Sequence, residues 1–231
     1  MNLGLFGVGK AGTSVVESLI VTDSHDDVDL VEMAIAFDTD QSTLEELDIL
    51  PQQYRVLVGE DRVKGHGTGA SPELGADVFK NDMITIQRRL DQIPLSSADS
   101  FVIVAGLGGG TGGGGAPVLA KSLSNLYPSR PLLGLGILPA DDEGQIYREN
   151  ANEILPDFVE NADTVLLFDT ETLQWNDDGS QTELTDIIRT VQSAASVPDE
   201  YTCAVHLTEH SESYLRLVEL LAASTQARSE E

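Results

Sequence analysis

Ten consecutive residues, Gly106-Leu107-Gly108-Gly109-Gly110-Thr111-Gly112-Gly113-Gly114-Gly115, are glycine everywhere except at two positions. Glycine loses more backbone entropy on folding than any other residue, so such a run belongs where main-chain amides approach something that side chains would obstruct. The apolar run Ser100-Phe101-Val102-Ile103-Val104-Ala105 before it reads as a strand, and a helix is expected from Ala116 to about Leu126, with Pro117 tolerated near its first turn. A strand feeding glycines into a helix N-terminus aims unpaired amides and the positive dipole end at one point, where phosphate is the usual occupant. A flexible linker would be rich in serine and flanked by polar sequence, whereas Val118-Leu119-Ala120 and the strand embed this run in a core.

A second loop of the same kind stands near the start. Asn2 to Phe6 reads as a buried strand, followed by Gly7-Val8-Gly9-Lys10-Ala11-Gly12-Thr13-Ser14 and a helix through Val15, Val16, Leu19 and Ile20. The loop fits G-x-G-x-x-G through Gly7, Gly9 and Gly12; it nearly fits a P-loop through Gly4, Gly9 and Lys10, failing at Ala11, where Ser or Thr would hold magnesium. The strand Leu30 to Phe37 ends at Asp38, which either meets a ribose hydroxyl, as in dinucleotide folds, or caps the turn through Thr39 and Asp40. A third glycine-rich loop, Arg62-Val63-Lys64-Gly65-His66-Gly67-Thr68-Gly69-Ala70, follows a short strand around Val56-Leu57-Val58 and brings cations, suggesting an anion. His66 has no Cys or second His at metal-ligand spacing and reads as an exposed loop residue.

The 231 residues carry 13 Lys and Arg against 39 Asp and Glu, a formal net charge of -26, with 41% hydrophobic residues to build a core. The acidic residues are scattered through amphipathic segments, so the charge belongs to a folded surface that repels itself unless salt screens it. A salt-rich cytoplasm is therefore the expected setting. Nucleic acid is disfavoured, since no basic patch exists to displace counterions. The single Cys203 allows no intramolecular disulfide, and no segment has the 18 or so apolar residues of a membrane span.

The rest alternates strand and helix. Leu74 to Leu90 has helical spacing through Leu74, Val78, Ile86 and Leu90; Leu132 to Leu138 is an apolar strand ending at Pro139-Ala140-Asp141-Asp142-Glu143-Gly144, an acidic loop read mainly as solvated. A helix from Gln145 to Val159, a strand from Thr164 to Phe168, a helix from about Glu183 to Ser196, a strand through Tyr201, Cys203, Val205 and Leu207, and a helix from Tyr214 to Ala223 complete the order. The expected fold is α/β: a mostly parallel sheet flanked by helices, with the glycine loops at strand C-termini. A nucleotide-binding domain over residues 1–198 and a short extension over 199–231 are the expected units.

The run Gly108-Gly109-Gly110-Thr111-Gly112-Gly113-Gly114-Gly115-Ala116-Pro117 resembles the signature loop of the tubulin/FtsZ superfamily. Other segments are similar to its CetZ branch of halophilic archaea: Gly7 to Gly12, Arg55-Val56-Leu57-Val58-Gly59, Arg62 to Gly67, Ala116 to Lys121, and Gly134 to Pro139 with Asp142-Glu143-Gly144. The resemblance covers about residues 1–170 in order. It implies a Rossmann-like GTPase domain that binds GTP or GDP, with Mg2+ as a possible companion, in proteins that polymerise to control cell shape or division. It places phosphates on Gly9, Lys10, Ala11, Gly12, Thr13 and Ser14 and on Gly108, Gly109, Gly110, Thr111, Gly112 and Gly113. Asp38 and Gly67 join the site, with the ribose at Glu143 and the base near Thr170 and Thr185.

The family pattern departs at named positions. Relatives tend to have Gly and Lys at Thr13 and Ser14, Asn at Asp38, and Asn at Thr170 and Thr185, where a threonine hydroxyl cannot present the paired donor and acceptor of an amide to guanine. Ser193-Ala194-Ala195-Ser196-Val197-Pro198 lacks the acidic loop that, in relatives, completes hydrolysis on a neighbouring subunit, and too few residues follow for the family's second domain. The expectation is a cytoplasmic, guanine-nucleotide-binding protein with weak or no autonomous GTPase activity. It would self-associate through its nucleotide face or cap and regulate filaments of a full-length relative. A nucleotide-independent interaction module and an NAD-dependent oxidoreductase are the alternatives.

Overall fold

A computed structural model of the protein describes residues 2–25 and 30–169 and the backbone of 204–207. The strands are β1 (Leu3–Val8), β2 (Val31–Asp38), β3 (Arg55–Leu57), β4 (Ser100–Gly106), β5 (Leu132–Leu138), β6 (Thr164–Asp169) and β7 (Ala204–Leu207). The helices are α1 (Gly9–His25), α2 (Gln41–Glu45), α3 (Glu60–Val63), α4 (Pro72–Asn81), α5 (Met83–Leu90), α6 (Gly110–Leu126) and α7 (Gln145–Asn161). All described strand pairings are parallel, and the strand order is β3-β2-β1-β4-β5-β6-β7. The expected parallel α/β sheet flanked by helices is thus the observed one.

Side-chain alternation along the strands divides the core in two. Phe6 and Val8 of β1 and Phe101, Ile103 and Ala105 of β4 face Val78 and Phe79 of α4, Ile86 and Leu90 of α5, Leu119 and Leu123 of α6, and Phe158 of α7. Leu3, Leu5, Val102, Val104, Leu133 and Leu135 face the opposite way, onto Val16 and Leu19 of α1 and Leu44 of α2. Both faces are buried, as near-continuous apolar strands require.

Two expected elements differ in their bounds for physical reasons. The apolar period over Leu74 to Leu90 is two helices, broken at Asp82 (φ -92°, ψ 8°). The Asp82 carboxylate accepts the Gly59 amide at 2.6 Å, so it leaves helical geometry to hold a glycine in the left-handed region (φ 75°). The helix expected from Ala116 begins instead at Gly110, so most of the glycine run is helical. The expected helices around 183–196 and 214–223 lie outside the described residues.

The sheet order reverses direction between β1 and β4. From β1 the chain moves outward to β2 and β3, then returns to β4 and continues to β5 and β6 on the other side. The helices that follow β1 and β4 therefore leave on opposite faces, and their N-termini flank a crevice at the carboxyl ends of the two central strands. This switch point is where open α/β sheets bind ligands.

Candidate functional site

A cleft of about 600 Å³ opens at that crevice. Its floor is Val8-Gly9-Lys10-Ala11 at the start of α1 and Gly108 to Gly112 at the start of α6, two helices whose first-turn amides have no intrahelical partner. Gly9 adopts φ 72°, and a Cβ there would lie 2.8 Å from the Gly112 nitrogen, so the two N-termini touch through backbone. Two positive helix ends side by side, with main-chain donors exposed between them, suit a multiply charged anion such as a polyphosphate. Lys10 supplies a full positive charge at the same wall.

The loops after β2 and α3 form the next wall, joined by backbone bonds from Gln41 to the Gly65 carbonyl and from Gly67 to the Thr39 carbonyl, each 3.0 Å. Lys64, Gly65, Gly67 and Gly69 all have positive φ there. The Gly110 amide donates to the Gly69 carbonyl at 3.0 Å, fastening this wall to α6. Behind it, the hydroxyl of Thr111 meets those of Thr39 (2.5 Å) and Thr68 (3.1 Å).

Asp38 caps the turn, and it also lines the cleft. Its Oδ1 accepts the amides of Thr39 (2.6 Å) and Asp40 (3.0 Å), capping the turn; its Oδ2 is buried without a hydrogen-bond partner, and the residue lines the cleft. Burial pushes its carboxyl up to about 6 against the pull of those two amides, with the neighbouring Asp40 raising it further and Lys10 lowering it. Asp40 is held below the usual carboxylate range, first by a hydrogen bond from the Ser42 side chain, as it caps α2. Glu143 forms the far wall with Pro139 and Tyr147, and its Oε1 accepts the Ala140 amide at 3.0 Å.

Of the residues expected at the site, Gly9, Lys10, Ala11, Ser14, Asp38, Gly67, Gly108, Gly109, Gly110, Thr111, Gly112 and Glu143 line this one cleft. Gly12, Thr13 and Gly113 do not. A Cβ on Gly12 would run into the Val104 carbonyl of β4, and one on Gly113 would lie 2.6 Å from the Leu107 carbonyl. Thr13 is buried, its hydroxyl donating to the Lys10 carbonyl at 3.0 Å. Thr170 and Thr185 lie outside the described residues.

The glycines have a second employment that the sequence reading missed. A Cβ on Gly75 would meet the Gly110 carbonyl, one on Gly114 would meet the Pro72 carbonyl, and one on Gly115 would lie 2.5 Å from the Phe79 ring. Much of the run thus lets α4 lie against α6 backbone to backbone, and only its first part faces the cleft. Asn150 was also missed: buried on α7, it donates to the carbonyls of Gly108 (2.9 Å) and Ala70 (3.1 Å), tying two glycine loops together. A buried asparagine spaced four residues from Ile154 and eight from Phe158 was the available signal.

A parallel sheet with two glycine-opened helices meeting at its switch point defines a Rossmann-like α/β domain with an anion-suited crevice. The model of the Tubulin/FtsZ family GTPase domain matches residues 2–176, and the chain belongs to that family. It is 39% identical over 219 residues to the tubulin-like protein CetZ1 of Haloferax volcanii, covering 92% of this chain and 55% of that protein. It is 44% identical over 169 residues to CetZ5 of the same organism, covering 73% and 43%. A solved structure of the GDP-bound CetZ1 monomer from Haloferax volcanii superposes with a TM-score of 0.74 at 36% identity, covering 97% of this chain and 65% of that one. The chain spans about half the length of these relatives.

Proposed function

We propose that the cleft binds a guanine nucleotide, GTP or GDP, and that the chain contributes this domain to a tubulin-like cytoskeletal system acting on cell shape. The carrying observation is the meeting of the α1 and α6 N-termini, glycine against glycine, at the switch point. The triphosphate lies along the amides of Gly9 to Ala11 and of Gly109, Thr111 and Gly112, with Lys10 beside it and the ribose toward Glu143. The base extends toward Thr170 and Thr185. Likeness to a GDP-bound CetZ1 and to a GTPγS-bound CetZ2 protofilament supports this reading. Magnesium is proposed to accompany the nucleotide, held chiefly by its phosphates and water.

Assembly through the nucleotide face, with itself or a full-length relative, extends the same reading. A capping or regulatory role follows from Ser193 to Pro198, where the sequence offers no acidic side chain to a neighbour's nucleotide. We place the protein in a salt-rich cytoplasm; no helix among the described residues is long and apolar enough to cross a membrane. Isothermal titration with GTP, ATP and NAD side by side in molar KCl tests the proposal. GTP binding tightest is the expected result; preferred NAD overturns it, and no nucleotide-induced thermal stabilisation favours an interaction module instead. Long filaments with rapid GTP turnover from the purified chain alone would exclude the capping role.

A further inference from the structure

The three threonine hydroxyls behind the cleft hold three hydrogens and make two contacts, Thr39 to Thr111 and Thr68 to Thr111. Thr68 and Thr111 line the cleft, whereas Thr39 does not and is 0% exposed. Among the described residues, Thr111 Oγ1 is the one oxygen that meets the Thr39 hydroxyl. Were Thr111 the donor of that pair, the Thr39 hydrogen would be enclosed without an acceptor, and an unmade bond in a buried position is costly. Thr39 therefore donates. Whichever way the Thr68 contact then runs, the unused hydrogen belongs to a hydroxyl on the cleft wall, Thr111 or Thr68.

We propose that Thr39 is a positioning residue for nucleotide binding: by donating to Thr111 from behind, it obliges the paired hydroxyls to offer a hydrogen outward, to a phosphate oxygen. This rests on the nucleotide reading of the cleft. Thr39 touches no ligand itself; it fixes the polarity of a short hydroxyl chain. That polarity matches the neighbouring main-chain amides, which also only donate, and suits this wall to an oxygen acceptor. The Gly67 amide, bonded to the Thr39 carbonyl at 3.0 Å, holds the residue in register for this task.

The test is a double-mutant cycle on the full chain, with Thr39→Val and Thr111→Val alone and together and GTP affinity measured by titration calorimetry in molar KCl. Thr39→Val is expected to weaken GTP binding about threefold to tenfold, the worth of one hydrogen bond. Thr39→Ser, which keeps the hydroxyl, retains affinity within about twofold. In the Thr111→Val background, Thr39→Val has no further effect. A loss of equal size in both backgrounds reflects packing and overturns the proposal, as does wild-type affinity in Thr39→Val. Wild-type protein that binds no nucleotide removes the reading of the cleft and the proposal with it, an outcome distinct from either. Should Thr39→Val fail to fold, loss of affinity in Thr39→Ser decides against the proposal.

Discussion

Gly75 of α4 rests against the carbonyl of Gly110 in the first turn of α6, so closely that a Cβ on Gly75 would run into that oxygen. Pro72 and Gly114 repeat the contact one turn along. The helix that presents amides to the cleft is thus held in place by the absence of side chains on its other flank.

Glycine positions in the run should consequently separate into two classes. Gly114→Ala forces a methyl into the Pro72 carbonyl and is expected to cost about 3 kcal/mol or to abolish folding. Gly109 has an ordinary φ of -80°, and its nearest neighbour to an added Cβ, the Gly106 carbonyl, is 3.9 Å away. Gly109→Ala should melt within a few degrees of wild type while weakening GTP, because the methyl enters the cleft. Thermal melts paired with calorimetric titration distinguish the classes.

Asp38 makes stability and binding depend on pH in opposite respects to a salt-bridged carboxylate. Its folded pKa of about 6 lies above the ordinary 3.8, so the folded state retains a proton that the unfolded chain has released between those values. Stability is fully present below about pH 4, declines as pH rises through about 6, and is flat beyond, a loss of roughly 3 kcal/mol at most. Asp38→Asn should remove this slope and bind GTP more tightly than wild type at pH 8, with little difference at pH 5. Urea unfolding at several pH values, with GTP titrations alongside, checks both.

Glu17 clamps a distant loop: its carboxylate accepts the amides of Asp48 (3.2 Å), Ile49 (2.7 Å) and Leu50 (2.8 Å). Glu17→Ala leaves these donors to water and is expected to destabilise by about 2 kcal/mol. Amide exchange accelerating at residues 48–50 before elsewhere is the specific sign.

A net charge of -26 predicts salt-dependent folding. The melting temperature should climb steadily between about 0.1 and 1 M KCl, as the screening length falls from about 10 to about 3 Å. A melt unchanged across that range contradicts the electrostatic account.

The strands were legible because parallel, doubly buried strands have no choice but to be apolar, as Phe101 to Ala105 and Leu132 to Leu138 show. The cleft was legible wherever glycine follows a strand, at Gly9 and at Gly108. What a glycine makes room for was not: nothing in the sequence says whether the vacated space opens on the cleft or takes protein atoms, and Gly113 to Gly115 pack against the protein. Long-range partners were equally silent. Asp82 breaks a helix for Gly59, 23 residues away, and Thr39 reaches Thr111 across 72. Asp38 left two readings open in sequence because a carboxylate after a strand can cap the turn with one oxygen and keep the other unbonded, as Oδ1 and Oδ2 do here.

The meeting of two helix ends under one cleft has a consequence for how the site responds to salt. An acidic protein that recruited its phosphates with a field of lysines would lose them as salt rose, because attraction between mobile, hydrated charges is what dissolved ions cancel. Under the proposed nucleotide reading the donors on the cleft floor are main-chain amides with Lys10 beside them, and a hydrogen bond made at contact distance leaves no room for an intervening ion. Salt that screens the acidic surface is therefore expected to leave nucleotide affinity largely unchanged.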